Sequence, residues 1–324
     1  MGATRLAGLM AEAWWETLKL RLRHGPLRPG WSFAFELVVR FLRRDQVEMS
    51  TWTPARMRAD LEARPYPSAM ARRCARREAR IGGVEGEWFD PPGAVEDAVL
   101  IYLHGGSFLA GSTRTHADLI ARYALATGLR TFAPRYRLAP EHPYPAAAED
   151  VLSVYRALVG SGLAPSRIAV AGESAGGNLV VRLLLDLRDA GEAQPAAAVS
   201  ISGWFDLTGA QPSMSSNEAF DFGTRAMLLT QARHAAGALP LDHPTLSLVH
   251  ADLRAIGPLL VQAGTAEMLF DECRLLYERA REAGADVRFD PLPEMPHAAP
   301  LLASVSAEGV RAIERGARFI RERL

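Results

Sequence analysis

Gly172-Glu173-Ser174-Ala175-Gly176-Gly177 sets a serine between the apolar run Arg167–Ala171 and a stretch with helical spacing. Such a strand-to-helix corner lifts a hydroxyl clear of its sheet. A histidine can deprotonate it there, and backbone amides can receive the oxyanion. Glycines two positions before and two after the serine suit a corner where strand and helix nearly touch. The serine backbone itself is forced into a sparsely populated conformation. That chemistry breaks acyl bonds, with Ser174 as the nucleophile.

A second group, His104-Gly105-Gly106-Ser107-Phe108, closes the apolar run Asp97–Leu103. Acyl transfer needs N–H donors aimed at the oxygen that becomes charged, and glycines let the backbone approach without a side chain intervening. The expected donors are the amides of Gly105, Gly106 and Ala175. A phosphate-binding loop matches less well, because the G-K-[ST] ending is absent. Among eight histidines only His297, in Pro293–Pro300, follows the last expected strand. The chain order serine, acid, histidine demands a base there. His24, His116, His142, His234, His243 and His250 read as surface or lid residues, and His104 as a structural member of its loop.

The elements that must position these groups alternate. Strands are expected at Asp97–His104, Leu129–Tyr136, Arg167–Gly172, Ala197–Trp204, Gly257–Gly264 and Asp286–Pro293, with helical segments between them and a last helix at the C-terminus. This predicts a mostly parallel sheet covered on both faces, whose site lies beyond the carboxyl ends of the strands. The first ~70 residues read as helices, with Thr53-Pro54 as an N-cap and first-turn proline. Their aromatics, Trp14, Trp15, Trp31, Phe33 and Phe35, should pack on the domain below or line an apolar cleft, packing being the stronger expectation. The interval Phe205–Ala255 breaks the alternation and belongs over the active edge. The organisation is therefore a helical cap region at 1–72, hydrolase core at 73–204, a cap insertion at 205–255 and core again at 256–324.

With 324 residues and 48% hydrophobic composition, the chain can bury one large core. A formal net charge of zero argues against nucleic acid or an anionic membrane as a general partner. Lys19 is the sole lysine, a coding bias without mechanistic content. Cys74 and Cys273 lack metal spacing and read as packed thiols in a reducing compartment. Glu12, Glu16 and Lys19 interrupt the apolar residues of the N-terminus, so neither a secretory signal nor stable membrane insertion is expected, and a cytoplasmic location is.

His104-Gly-Gly, Tyr136-Arg137-Leu138-Ala139-Pro140-Glu141-His142-Pro143-Tyr144-Pro145 and Gly172-Glu-Ser-Ala-Gly-Gly together resemble the hormone-sensitive lipase family of α/β-hydrolases. The resemblance runs from about Asp97 to the C-terminus. It implies an α/β-hydrolase fold with an eight-stranded sheet, a helical cap, and carboxylester hydrolysis without cofactor or metal. The Tyr136–Pro145 segment is structural in that family. The family's acid motif, commonly Asp-Pro-Leu-x-Asp-Glu, stands here as Glu267-Met268-Leu269-Phe270-Asp271-Glu272, which makes Glu267 the triad acid; Asp271 is the rival and also suits a helix N-cap. Two further departures are Ser107 in place of a third glycine and Ala298 where glycine often follows the histidine. The expected function is a serine esterase acting on short- to medium-chain acyl esters. An amidase or lactonase would use the same triad, and a receptor on this scaffold would typically have lost one of its members. The partner expected is a small-molecule ester; a homodimer stays open.

Overall fold

A computed structural model describes residues 2–66 and 69–324, with Gly2 and Ala3 described as backbone only. Eight strands form one sheet: β1 (Ala75–Ile81), β2 (Val84–Asp90), β3 (Val95–Leu103), β4 (Leu129–Pro134), β5 (Ile168–Glu173), β6 (Ala197–Ile201), β7 (Leu259–Gly264) and β8 (Val287–Leu292). Their spatial order is β1-β2-β4-β3-β5-β6-β7-β8. Strand β1 pairs with β2 and β2 with β4, both antiparallel, and every pairing from β4 through β8 is parallel.

Parallel strands need helical crossovers, which cover both faces and drive the strands towards unbroken apolar sequence. That is the texture of β5, β6 and β7, where every residue is buried. Along β3 the side chains alternate. Val99, Ile101 and Leu103 pack with α5 (Ala146–Gly160) and α6 (Ala175–Asp189), while Leu100 and Tyr102 pack with α4 (Ala117–Thr127) and α10 (Ala307–Arg321). Strand β3 ends at Leu103, so His104 is already a loop residue, one position earlier than the apolar run suggested.

Helices α1 (Gly2–His24), α2 (Phe33–Met49) and α3 (Pro54–Ala63) precede the sheet. Ser32 caps α2 by accepting from the Phe35 amide, and Thr53 caps α3 through the Arg56 amide with Pro54 in the first turn. The N-terminal aromatics divide. Trp31 and Phe35 are buried against Leu292, Met295, Ala299 and Leu302. Trp14 and Trp15, by contrast, are 41% and 57% exposed and line no part of the cavity described below. The interval between β6 and β7 holds α7 (Ser213–Ser216) and α8 (Arg225–Ala236). Part of it is core and not cover: Leu246, Leu248, Val249 and Leu253 join the main apolar cluster with α6. After β7, α9 (Phe270–Glu282) leads to β8. Both cysteines are buried free thiols. No helix among the described residues is long and apolar enough to cross a membrane.

Candidate active site

The turn from β5 into α6 places Ser174 at φ 58°, ψ −119°, a conformation that non-glycine residues rarely adopt. It is held there by the Ser174 amide donating to Ile201 O at 2.9 Å, and by the Ser174 carbonyl accepting from the Asn178 and Trp204 amides at 3.1 Å each. A Cβ on Gly176 would lie 2.0 Å from Leu103 O, so only glycine lets the helix approach β3 this closely. Ala175 opens α6, and its amide therefore has no partner within the helix.

Across from this corner, the loop after β3 is turned by Gly106 at φ 119° and by Ser107 and Phe108 at φ 56° and 61°. The Tyr136 hydroxyl donates to His104 O at 2.6 Å with its ring stacked on the imidazole, and the Ala139 amide donates to Phe108 O at 2.9 Å. The Tyr136–Pro145 segment thus acts as the loop's backing. One expectation needs correction. The Gly105 amide is not free to receive an oxyanion, because it donates to Glu173 Oε1 at 2.5 Å. On this loop the amides of Gly106, Ser107 and Phe108 have no acceptor among the described residues. The Ser107 hydroxyl reaches α8, donating to Gln231 Oε1 at 2.8 Å.

Glu173, the residue before the serine at the elbow, is fully buried and central. Besides Gly105, it accepts from the Tyr102 hydroxyl at 2.7 Å, and His116 Nε2 lies 3.2 Å from its Oε1. His116 is therefore no surface or lid residue; it stacks on His104 beside the site. Burial pushes the Glu173 carboxyl up to about 8, against the opposing bonds from Tyr102 and Gly105. Burial also lowers His104 to about 4 and, with His104 nearby, His116 to about 3.

The loops after β7 and β8 carry Glu267 and His297. Glu267 is fully buried, and its Oε2 accepts from the Ser202 hydroxyl at 2.6 Å and the Gly264 amide at 3.0 Å. Ser202 Oγ also accepts from the Ala298 amide at 3.0 Å, so one hydroxyl joins the acid to the residue after His297. Glu267 Oε1 and His297 Nδ1 are both buried without a hydrogen-bond partner. Buried polar atoms are seldom left so, and no hydrogen bond or ion pair joins these two side chains in this structure. Burial, then the nearby Asp221 carboxylate, pushes Glu267 well above the usual carboxylate range. Burial lowers His297, and Asp221 opposes that.

Asp271 is occupied elsewhere: its Oδ2 accepts from the Ser213 amide at 2.8 Å and its Oδ1 from Arg274 at 3.2 Å. Nor is it the N-cap of α9, a position held by Leu269; Asp271 lies inside the first turn.

Ser174, His297, Gly106 and Ser107 line one cavity of about 500 Å³. Its walls are largely apolar. Val38 and Leu42 come from α2, Met57 and Leu61 from α3, and Phe222 and Leu228 from the 205–255 interval. The N-terminal helices are tied by ion pairs, with the buried Asp45 facing Arg5 at 2.9 Å and Arg64 at 2.6 Å; Asp45 and Arg64 also line the cavity.

A mostly parallel eight-stranded sheet with a serine strained at the β5–α6 corner defines an α/β-hydrolase. A family model of the alpha/beta hydrolase fold matches residues 100–301. The chain belongs to that family, in its hormone-sensitive lipase branch. It is 41% identical over 244 residues to an acetyl-hydrolase of Streptomyces hygroscopicus, covering 74% of this chain and 81% of that one. An esterase of Acinetobacter venetianus is 32% identical over 66% of this chain and 71% of its own length. Among solved structures, an esterase from the bacterial hormone-sensitive lipase family superposes with a TM-score of 0.81 at 36% identity, over 87% of this chain and 95% of that chain.

Proposed function

We propose that the protein is a serine carboxylesterase that cleaves short- to medium-chain acyl esters through an acyl-enzyme on Ser174. The reading rests above all on Ser174, held at positive φ on the wall of a cavity shared with His297. In the proposed cycle His297 takes the Ser174 proton as the hydroxyl attacks the ester carbonyl. Glu267, through its unpartnered Oε1 and the orphan Nδ1 of His297, orients the imidazole and stabilises its cation. The amides of Gly106, Ser107 and Ala175 receive the oxyanion, Ser107 replacing Gly105 in that role because the Gly105 amide is engaged. His297 then protonates the departing alcohol, and water repeats the sequence to release the acid.

Residues 1–72 and 205–255 act as the cap in this reading. Their apolar side chains hold the acyl and alcohol groups, and a cavity of this size suits a small ester. The names of the relatives, acetyl-hydrolase and esterase, point the same way. The test is turnover of p-nitrophenyl esters of rising acyl length by the parent protein and by Ser174→Ala. The variant should lose about 10⁶ in kcat. Parent-level turnover by Ser174→Ala would end this reading.

A further inference from the structure

We infer that Asp221, contributed by the 205–255 interval, is a positioning residue that clamps the acid and histidine loops together and places a second carboxylate near the imidazole. It rests on the triad reading above and extends it to a residue that no sequence motif marks. Asp221 follows the short 3₁₀ turn Glu218–Phe220 and is 3% exposed, on the cavity wall. Its Oδ1 accepts from the His297 amide at 3.1 Å and the Phe222 amide at 2.8 Å; its Oδ2 accepts from the Met268 amide at 2.7 Å. Met268 is the neighbour of Glu267. One side chain therefore spans loops that leave two different strands, β7 and β8.

The clamp is itself anchored. Arg43 of α2 donates to Asp221 O at 3.0 Å, to Gly223 O at 2.7 Å and to Glu218 O. The Phe222 ring meets the His297 ring edge-on, with centroids 6.5 Å apart. Position and charge at the imidazole are thus set from the cap side as well as from the sheet.

Both Asp221 oxygens are held by backbone amides, and Asp221 makes no hydrogen bond to His297 Nδ1. It acts through the field of a buried charge, which solvent ions screen little. The groups facing His297 can be named. Asp221 comes from the cap interval, Glu267 from the turn after β7, and Ser174 from the elbow. Glu294 sits on the histidine's own loop with its carboxylate accepting from the Gly30 amide. Arg43 lies behind Asp221, its Nη1 held by three carbonyls and its Nη2 3.6 Å from Glu218. Asp221 raises the basicity of His297 against the effect of burial, so it favours the imidazolium that forms in each proton transfer.

The sign of the consequence follows. Without the carboxylate, His297 releases its proton at lower pH, so the acid limb of kcat/KM moves down. The plateau falls as well, because the imidazolium is less stabilised. A side chain that only braced the loops would lower the plateau and leave the limb in place.

Asp221→Asn and Asp221→Ser, compared with the parent and with the charge-retaining Asp221→Glu, should shift the acid limb down by about half a pH unit or more. The first two should lower kcat about tenfold, with KM changed less than about threefold. The same comparison is read on the rate at which a fluorophosphonate labels Ser174, which does not depend on the ester chosen. Thermal melts identify folded variants. An unmoved acid limb in folded Asp221→Asn or Asp221→Ser would overturn the assignment, as would failure of both neutral variants to fold, since Asp221 would then serve stability alone. Absence of ester turnover by the parent, with labelling intact, would instead count against the esterase reading and leave the limb comparison decisive for Asp221.

Discussion

The sheet edge and the cap wall meet at one cavity but are built on opposite principles. Beneath Ser174 the strands are fully buried aliphatic runs, and the reactive groups sit on their tightly turned ends at Ser174, Gly106, Ser202 and Ala298, all at positive φ. Close packing of that kind leaves little freedom, which suits groups that must hold a fraction-of-an-ångström geometry. The wall above is helical and largely apolar, with Asp45 and Arg64 also lining it. Asp45 with Arg5 and Arg64, Glu36 with Arg21 and Arg40, and Arg43 on its three carbonyls tie the helices together. Chemistry is fixed by packing, and access by ion pairs. The two regions should therefore fail differently when altered.

Substitutions at the sheet edge should cost rate while sparing stability. Glu267→Gln removes the carboxylate that the proposed cycle assigns to orienting His297, and kcat is expected to fall by about 10⁴. Asp271→Asn should stay within about threefold, since Asp271 bonds Ser213 and Arg274 instead. Steady-state kinetics on both variants decide the acid, and the reverse ranking would transfer the role to Asp271. Gly106→Ala comes next. Its Cβ would lie 2.1 Å from Ala110 O on a backbone at φ 119°, so the loop must move and displace oxyanion donors. A loss of about 10²–10³ in kcat is expected; parent-level kcat would show that these amides do not contribute.

Across the cavity, Asp45→Asn should do the opposite. It leaves Arg5 and Arg64 facing a neutral, 1%-exposed partner and should cost about 3 kcal/mol of stability in urea unfolding. Its kcat should stay near the parent's while KM rises. A tenfold fall in kcat at unchanged KM would erase the distinction between the two regions.

A further effect, read through pH, concerns Glu173, whose carboxylate holds the Gly105 amide of the loop after β3. Its carboxyl is raised to about 8 in the fold against an ordinary carboxylate value of about 4.3 when unfolded. Its contribution is fully present below the unfolded value and lost as pH rises through about 8. Thermal melts of Glu173→Gln should show a shallower decline over that window. His104 and His116, lowered to about 4 and about 3, act in the other sense. Their contribution is present above about 6.5 and lost as pH falls towards those values, in parent and variant alike.

What could be seen in the residues alone, and what could not, separates along the same line. Strand and helix alternation was legible because buried parallel strands and amphipathic helices leave local periodicities. The elbow was legible because its glycines crowd each other across the turn, where a Cβ on Gly172 would lie 2.7 Å from Gly176 O. The N-caps Ser32, Thr53, Thr224 and Ser306 likewise report bonds made three residues away, though only Thr53 was read as a cap. His116 misled because helix α4 carries it back against His104 and Glu173, a contact that no spacing announces. The partial burial of the 205–255 interval was hidden for a similar reason: short apolar pieces such as Leu246–Val249 look alike whether they cover a site or fill a core.

The sequence by itself determined the order of strands and helices, the strained serine corner and the reach of the glycine loop, since each follows from interactions within a few residues. Only the tertiary structure decided that the Gly105 amide is taken by Glu173, that Ser202 joins Glu267 to the Ala298 amide, and that Asp221 binds the loops after β7 and β8. Those bonds link residues 47 to 96 positions apart. Which buried donor meets which acceptor over such distances is settled when the whole sheet packs, because every buried polar group must then find its partner among what the fold brings near.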